Sequence, residues 1–228
     1  MDNLEVIQFP QNTVKNTETE LKILDAARQE FADKGLSGAR SKVIAERAGV
    51  NKALLHYYFR SKEKLYEAAL RDAMTRFISA LGANLAAVGE TTDIKAFIRA
   101  IVTTYLRTMA SNPVFPRLFL RELLDDGPYI RVIMENLLTS FSRVPETMFR
   151  MFSTFNNAAR IKPLDPVHVV FNIIGMCIVT FAGRPFLDLL YRRIRNEPLV
   201  FDDAFLEQRI NIITEMAYSG IIQEEQAQ

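Results

Sequence analysis

The sequence predicts an all-α protein with two parts, a helix-turn-helix and a larger helical body. Apolar residues recur at spacings of three and four along most of the chain. Capping residues, glycines and prolines divide the chain into segments of helical length, and no run of alternating β-branched residues competes. A composition of 49% hydrophobic and 24% charged residues is typical of a globular protein with a sizeable core.

Four helices are predicted in the first ninety residues. The first follows a capping box at residues 17–20 and ends at Gly35. Gly49 separates the second helix from the third, and Asn51 and Ser61 cap the third and the fourth. The four helices are predicted over residues 21–34, 42–48, 52–58 and 62–86.

Proline and glycine separate the helices of the remaining chain. Asp165 and Pro166 form a cap with proline at the first helical position, and they open a very apolar helix. Pro145 can kink the longest segment. The predicted helices cover residues 93–110, 116–125, 128–157, 165–181, 186–195 and 202–219.

Basic residues are concentrated in one stretch of a chain whose formal net charge is only +1. Residues 34–64 contain eight Lys or Arg and two Glu, a net charge of +6, so the rest of the chain carries −5. A local excess of this kind predicts a surface for a polyanion. On charge alone, a solvated helical face is the alternative interpretation.

The turn between the second and third helices meets the requirements of a helix-turn-helix. Ala48 is small, Gly49 can take a positive φ, and Val50 is apolar and can hold the following helix in place. Leu55 and Phe59 are further apolar anchors for that helix. The sequence therefore predicts a DNA-binding helix-turn-helix, whose dimer would bind an inverted repeat.

A set of apolar, glycine and aromatic positions in residues 20–70 forms a familiar pattern. Its members are residues 23–31, Gly35, Ile44-Ala45, Ala48-Gly49-Val50, Leu55, Tyr57-Tyr58-Phe59 and Ser61-Lys62-Glu63-Lys64-Leu65. The pattern closely resembles the tetracycline-repressor (TetR) family, which implies a dimeric, ligand-responsive transcription factor, usually a repressor. Two positions depart from the family, since Arg40 stands where Thr is common and His56 replaces the first aromatic of a Tyr-Tyr pair.

The predicted DNA contacts lie in and around the second and third helices. The resemblance implies a base contact at Lys42, which can donate to guanine; a solvated lysine is the alternative. Lys52 opens the recognition helix, and Lys62 is a predicted phosphate clamp at the start of the fourth helix. Tyr57 and Tyr58 have hydroxyls suited to phosphate oxygens, and one of the two can belong to the core. The full set is Arg40, Ser41, Lys42, Lys52, Ala53, Leu54, His56, Tyr57, Tyr58 and Lys62.

Soft and aromatic residues recur at helical spacing in the C-terminal part, where six of the eight Met lie beyond residue 100. Flexible Met and flat Phe can line a cavity for a bulky apolar compound, and the resemblance implies an effector pocket in these helices. An ordinary hydrophobic core is the alternative. The predicted ligand-binding residues are Tyr105, Met109, Phe119, Met148, Phe152, Asn172 and Met176.

Other classes of function find little support in the sequence. There is no Gly-rich phosphate loop, and His56 and His168 are the only histidines, so no catalytic residue, metal site or cofactor is predicted. The single Cys177 excludes a disulfide framework. A helical module that binds another protein would explain the amphipathic helices, but it gives no reason for the basic helix-turn-helix.

Three domains are predicted: a flexible arm over 1–16, the DNA-binding domain over 17–64, and an effector-binding and dimerisation domain over 65–228. The helices at 165–181 and 202–219 are apolar on more than one face, which predicts a homodimer. The fourth helix is long enough to reach from the DNA-binding domain into the body, so it is predicted to couple a small apolar or amphipathic effector to DNA release.

The expected location is the cytoplasm, with no membrane partner. The N-terminus lacks a basic stretch followed by an apolar run, and no uncharged apolar segment reaches 18 residues.

Overall fold

The computed structural model describes residues 18–88, 93–112, 114–124, 127–140 and 162–222, and nearly all of them are helical. The predicted all-α class is confirmed. The predicted N-terminal arm lies outside the described residues. The helices are α1 (Glu18–Gly38), α2 (Ser41–Ala48), α3 (Lys52–Phe59), α4 (Lys62–Val88), α5 (Ile94–Ser111), α6 (Val114–Leu124), α7 (Pro128–Ser140), α8 (Pro166–Ala182), α9 (Arg184–Leu190) and α10 (Asp203–Ile221).

The contacts divide the chain into two compact units. The first unit comprises Met1–Asp72 and Arg121–Ser140, and the second comprises Ala73–Leu120 and Phe141–Gln228. Both α4 and α6 therefore contribute residues to each unit. The predicted domains are instead continuous in sequence and meet between residues 64 and 65. That boundary stays a prediction.

The first unit has a core built by α1, α2, α3 and the start of α4. Phe31 of α1 is fully buried, and its ring meets the ring of Tyr66 in α4 edge to face, with 4.9 Å between centroids. Ile44 of α2 is also fully buried, and Leu55 and Phe59 of α3 are buried, as expected for the anchors of the third helix. Helices α1, α2 and α3 and the start of α4 thus share one apolar core.

Gly35 interrupts α1 with φ 67° and ψ 176°, a backbone region that is essentially restricted to glycine. The predicted end of the first helix is therefore close to the observed break, although one more turn continues to Gly38. Arg121 lies against this break, where its Nη2 donates to the Asp33 carbonyl at 3.4 Å.

The second unit is built around α5, which packs against α10 and α8. Aspartate side chains accept hydrogen bonds from the first turns of these helices: Asp93 from Ala96 N at 3.2 Å, Asp165 from Val167 N at 2.8 Å, and Asp202 from Phe205 N at 2.9 Å. The predicted cap at residues 165 and 166 is thus present in the structure.

Two predicted helices differ from those observed. Of the segment 128–157, the structure describes α7 to Ser140, and Pro145 lies outside the described residues. The segment after Gly183 begins earlier than predicted, at Arg184, and α9 continues into a π-helical turn at Tyr191–Arg195.

Within the described residues, no single helix is long and apolar enough to cross a membrane. One pair of consecutive segments is long and apolar enough when its two members are taken together. The pair is Pro166–Ala182 and Arg184–Arg195, and the chain bends by 69° between them.

Candidate nucleic-acid interface

The turn between α2 and α3 has the backbone geometry that the sequence predicts. Gly49 takes φ 69° and ψ 28°, and Val50 N donates to the Ala45 carbonyl at 2.9 Å. A Cβ built on Gly49 would meet no atom within 4 Å, so the positive φ, rather than lack of space, requires glycine here.

One face of α3 is anchored in the core and the other is exposed. Asn51 caps the helix, with its side-chain oxygen accepting from Leu54 N at 2.8 Å. Leu54 is 36% exposed and Tyr57 66% exposed, which is unusual for large apolar or aromatic side chains. Tyr58 is half-buried. The predicted contacts that share the exposed face are Lys52, Ala53, Leu54, His56 and Tyr57.

The three predicted contacts at the start of α2 lie together but differ in exposure. Arg40 precedes the helix and is exposed, Ser41 is half-buried, and Lys42 is exposed. The Lys42 ammonium lies 3.8 Å from a carboxylate oxygen of Glu46, one turn along. An exposed pair at this distance contributes little, so Lys42 can exchange Glu46 for a DNA partner at low cost.

Lys62 is the predicted contact with a structural role of its own. Its Nζ lies 3.3 Å from the Ser37 carbonyl and 3.4 Å from the Ala39 carbonyl, so the start of α4 is tied to the connection between α1 and α2. An ammonium has three N–H donors, and these two contacts leave one for another acceptor. The sequence indicated the charge of Lys62 but not this tie.

The comparisons with known proteins agree with this geometry. Residues 23–69 match the model of a family described as bacterial regulatory proteins, tetR family. The HTH-type transcriptional regulator RutR of Escherichia coli K12 is 32% identical over 151 residues, which cover 66% of this chain and 68% of RutR. The chain belongs to the TetR family.

Solved structures share the fold over most of the chain. A structure described as that of a transcriptional regulator, SCO4942 from Streptomyces coelicolor, aligns with a TM-score of 0.65 and 23% identity, covering 89% of this chain and 98% of that one. FadR from Bacillus subtilis, solved in complex with stearoyl-CoA, aligns with a TM-score of 0.63 and 18% identity, covering 88% and 98%. The chain is therefore a TetR-family helix-turn-helix transcriptional regulator, a DNA-binding protein rather than an enzyme.

The structure describes five of the seven residues predicted to bind a ligand in this TetR-family chain, and these five differ in exposure. Tyr105 and Met109 are buried, Phe119 and Met176 are half-buried, and Asn172 is exposed. Met148 and Phe152 lie outside the described residues. Burial raises the pKa of the Tyr105 hydroxyl, and burial also raises the pKa of the Cys177 thiol to about 12. Both groups are therefore neutral at physiological pH.

A cavity of about 180 Å³ lies in the second unit, beside two of the predicted ligand residues. Phe77 forms part of its wall and meets Tyr105 edge to face at 4.9 Å, and Phe115 stacks on Phe119 at 5.7 Å. Its polar lining comes from Arg76 of α4 and from the end of α5, where Ser111 is the final helical residue. The lining residues are Ala73, Arg76, Phe77, Thr108, Ser111, Asn112 and Phe115.

Sequence reasoning did not select these lining residues as ligand contacts. Their common signal is the end of a helix beside two phenylalanines, a pattern that recurs in any helical core. Within the described residues, no group of three or more His, Cys, Asp or Glu side chains could hold a metal ion.

Proposed function

We propose that this TetR-family chain is a homodimeric transcriptional regulator that acts as a repressor. It binds an inverted-repeat operator and releases it when a small apolar or amphipathic effector binds. The proposal includes the division into an N-terminal arm (1–16), a DNA-binding domain (17–64) and an effector-binding and dimerisation domain (65–228). A regulator of this kind acts in the cytoplasm, where its DNA and its effector are both accessible.

The exposed face of α3 is the observation that carries the proposal for DNA. Leu55 and Phe59 fix the helix in the core, so the opposite side presents Lys52, Ala53 and Tyr57 to the outside. Ala53 is small enough for a close approach to base edges, and Leu54 can contact a thymine methyl group. At the start of α2, Arg40 and Ser41 supply groups for phosphate contacts, and Lys42 supplies a base contact.

Exposed apolar side chains on α8 and α10 support the homodimer. Val167, Phe171 and Val179 of α8 are exposed, as are Ile212 and Met216 of α10. A soluble helix seldom leaves a face this apolar uncovered, and a twofold mate would cover both helices with the same two helices of its partner.

The cavity in the second unit supports an amphipathic effector. Ala73, Phe77 and Phe115 supply an apolar surface, while Thr108, Ser111 and Asn112 supply polar groups. FadR from Bacillus subtilis, which has a similar fold, was solved with stearoyl-CoA, a ligand that is itself amphipathic. Phe119, Met109 and Tyr105 lie next to this cavity or in the adjoining core.

The route from effector to DNA is proposed to be α4. Its first residue, Lys62, is tied to the α1–α2 connection, and its residues Arg76 and Phe77 line the cavity. The helix has 27 residues, about 40 Å at the usual rise. An effector can move the DNA-binding residues only if it binds one arrangement of the protein more tightly, and the coupling is then reciprocal, typically about 1–3 kcal/mol.

Selection of duplexes from a random pool tests the DNA part of this function. We expect recovery of an inverted repeat and a steep loss of affinity with salt. Recovery of no common sequence, together with salt-independent binding, would contradict it.

For the coupling, a bound effector is titrated with and without operator DNA, and equal effector affinities would show that the cavity is not a switch.

A further inference from the structure

The turn that joins α3 to α4 is strained at Arg60. This residue has φ 61° and ψ −44°, and Ser61 N donates to the Phe59 carbonyl at 2.6 Å across it. A hydrogen bond between residues two apart, with a positive φ at the central residue, defines the classic γ-turn, which is rare. A Cβ is unfavourable in this conformation, so glycine would be the residue of choice on backbone grounds alone.

The side chain of Arg60 is exposed and stacked on the recognition helix. The carbon at the centre of its guanidinium lies 5.7 Å from the centroid of the Tyr57 ring, within the range of a cation–π contact. Among the residues that the structure describes, no carboxylate lies within 4.0 Å of this guanidinium. Its charge therefore lies against an aromatic ring, with no acidic partner among these residues.

Arg60 lies beside the exposed stripe of α3, because its guanidinium reaches the ring of Tyr57. Tyr57 follows Ala53 by four residues, so these two positions share one side of the helix. Leu55 and Phe59 occupy the opposite, buried side. The guanidinium thus belongs to the same surface as the residues proposed to meet the DNA groove.

We propose that Arg60 is a DNA-binding residue, whose guanidinium, braced on Tyr57, contacts a backbone phosphate at the edge of the site read by α3. The inference rests on the proposed binding of duplex DNA and adds a residue to it. A planar guanidinium offers N–H donors along its edge, and that edge matches the geometry of phosphate oxygens. A residue that strains the backbone is explained when its side chain has a function that glycine could not supply.

Salt dependence of DNA binding separates a phosphate contact from a purely structural stacking. The probe is a 40-bp duplex of arbitrary sequence, since a phosphate contact does not depend on the bases. The slope of log K against log salt is negative, and each phosphate contact adds about 0.9 to its magnitude. Arg60→Ala should therefore make the slope shallower by about 0.9 for each protomer, or by about 1.8 for a bound dimer. Affinity should fall about threefold per protomer near 0.1 M salt.

A second variant separates the charge from the backbone. Arg60→Gly removes the same guanidinium and should give the same reduced slope as Arg60→Ala, but it relieves the strain at φ 61°. We expect the Tm of Arg60→Gly to exceed that of Arg60→Ala by about 2–4 °C. Arg60→Lys keeps the charge and should retain most of the wild-type slope.

Arg131→Ala is the matched control, because Arg131 is an exposed arginine of α7 that pairs with Glu135 at 3.2 Å. Its slope should equal that of the wild type. If binding by the wild type depends on salt, and both Arg60→Ala and Arg60→Gly have the same slope as the wild type, the inference is overturned. The proposed function then still stands. Salt-independent binding by the wild type would overturn both.

Discussion

A buried hydrogen bond between Tyr66 and Glu122 allows a quantitative test of the first unit. The Tyr66 hydroxyl donates to Glu122 Oε2 at 2.5 Å, and Tyr129 N donates to Oε1 at 3.1 Å. Glu122 is only 2% exposed and Tyr66 only 3%. The two residues are 56 positions apart, so the bond holds the end of α6 to the start of α4.

Tyr66→Phe removes this donor while it keeps the ring. The ring contacts with Phe31 at 4.9 Å and with Tyr129 at 5.2 Å can persist, so the loss is confined to the hydroxyl. A hydrogen bond to a charged group contributes about 1.5–3 kcal/mol, and a buried carboxylate that loses a donor is not compensated by water. We therefore expect the free energy of unfolding to fall by about 2 kcal/mol and Tm to fall by about 4–8 °C.

Urea denaturation followed by circular dichroism at a fixed protein concentration measures this change, because the midpoint should fall without a change in the slope m. Tyr57→Phe is the control, since Tyr57 is exposed and its hydroxyl should contribute less than about 0.5 kcal/mol. In a double-mutant cycle with Glu122→Gln, the coupling energy should reach about 1–2 kcal/mol. Equal midpoints for Tyr66→Phe and Tyr57→Phe would refute the reasoning.

Three further predictions concern the turn, the buried thiol and the exposed face of α8. Gly49→Ala should lower the free energy of unfolding by about 1–2 kcal/mol, because a residue with a Cβ is unfavourable at φ 69°. A Cβ there would meet no neighbouring atom, so the whole effect should come from the backbone, and an unchanged urea midpoint would contradict this. Burial raises the pKa of the Cys177 thiol to about 12, from the 9.0 of an ordinary thiol. As the pH rises, the thiol therefore ionises first in the unfolded chain, and the stability of the fold should fall between about pH 9 and pH 12. Cys177→Ala should show a flatter decline of Tm over that range. Phe171→Glu places a charge on an exposed apolar face and should shift the sedimentation coefficient from dimer to monomer at micromolar concentration, whereas an unchanged coefficient would remove this face from the dimer interface.

The sequence predicts local features of the fold well, because their causes are local. The caps at Asn51 and Asp165 and the positive φ of Gly49 each depend on residues within one turn of the chain, and all three occur in the structure. The exposure of α3 on one face follows in the same way from the spacing of Leu55 and Phe59. Local chemistry also explains why the family resemblance could be found from residues 20–70 alone.

Helical periodicity cannot separate a core from a cavity, so the predicted ligand-binding residues stay predictions. Met109 and Tyr105 satisfy the same spacing whether their neighbours fill the space or leave it open, and both are buried. Asn172 is a polar residue of an apolar helix and lies on the exposed side of α8. The cavity is lined by residues of α4, α5 and α6 together, which no single stretch of sequence encodes.

Arg60 and Glu122 show two different reasons why a residue escapes sequence reasoning. Glu122 is buried because Tyr66, 56 positions away, and the backbone of Tyr129 both donate to its side chain, and neither contact can be read from the residues next to Glu122. Arg60 is counted in the basic stretch, but its charge alone does not distinguish it from a solvated arginine. What distinguishes it is the combination of a positive φ, which disfavours any side chain, with a ring that holds the side chain it has. A conformational cost is visible only in the backbone, and it is this cost that turns an ordinary surface arginine into a candidate for DNA binding.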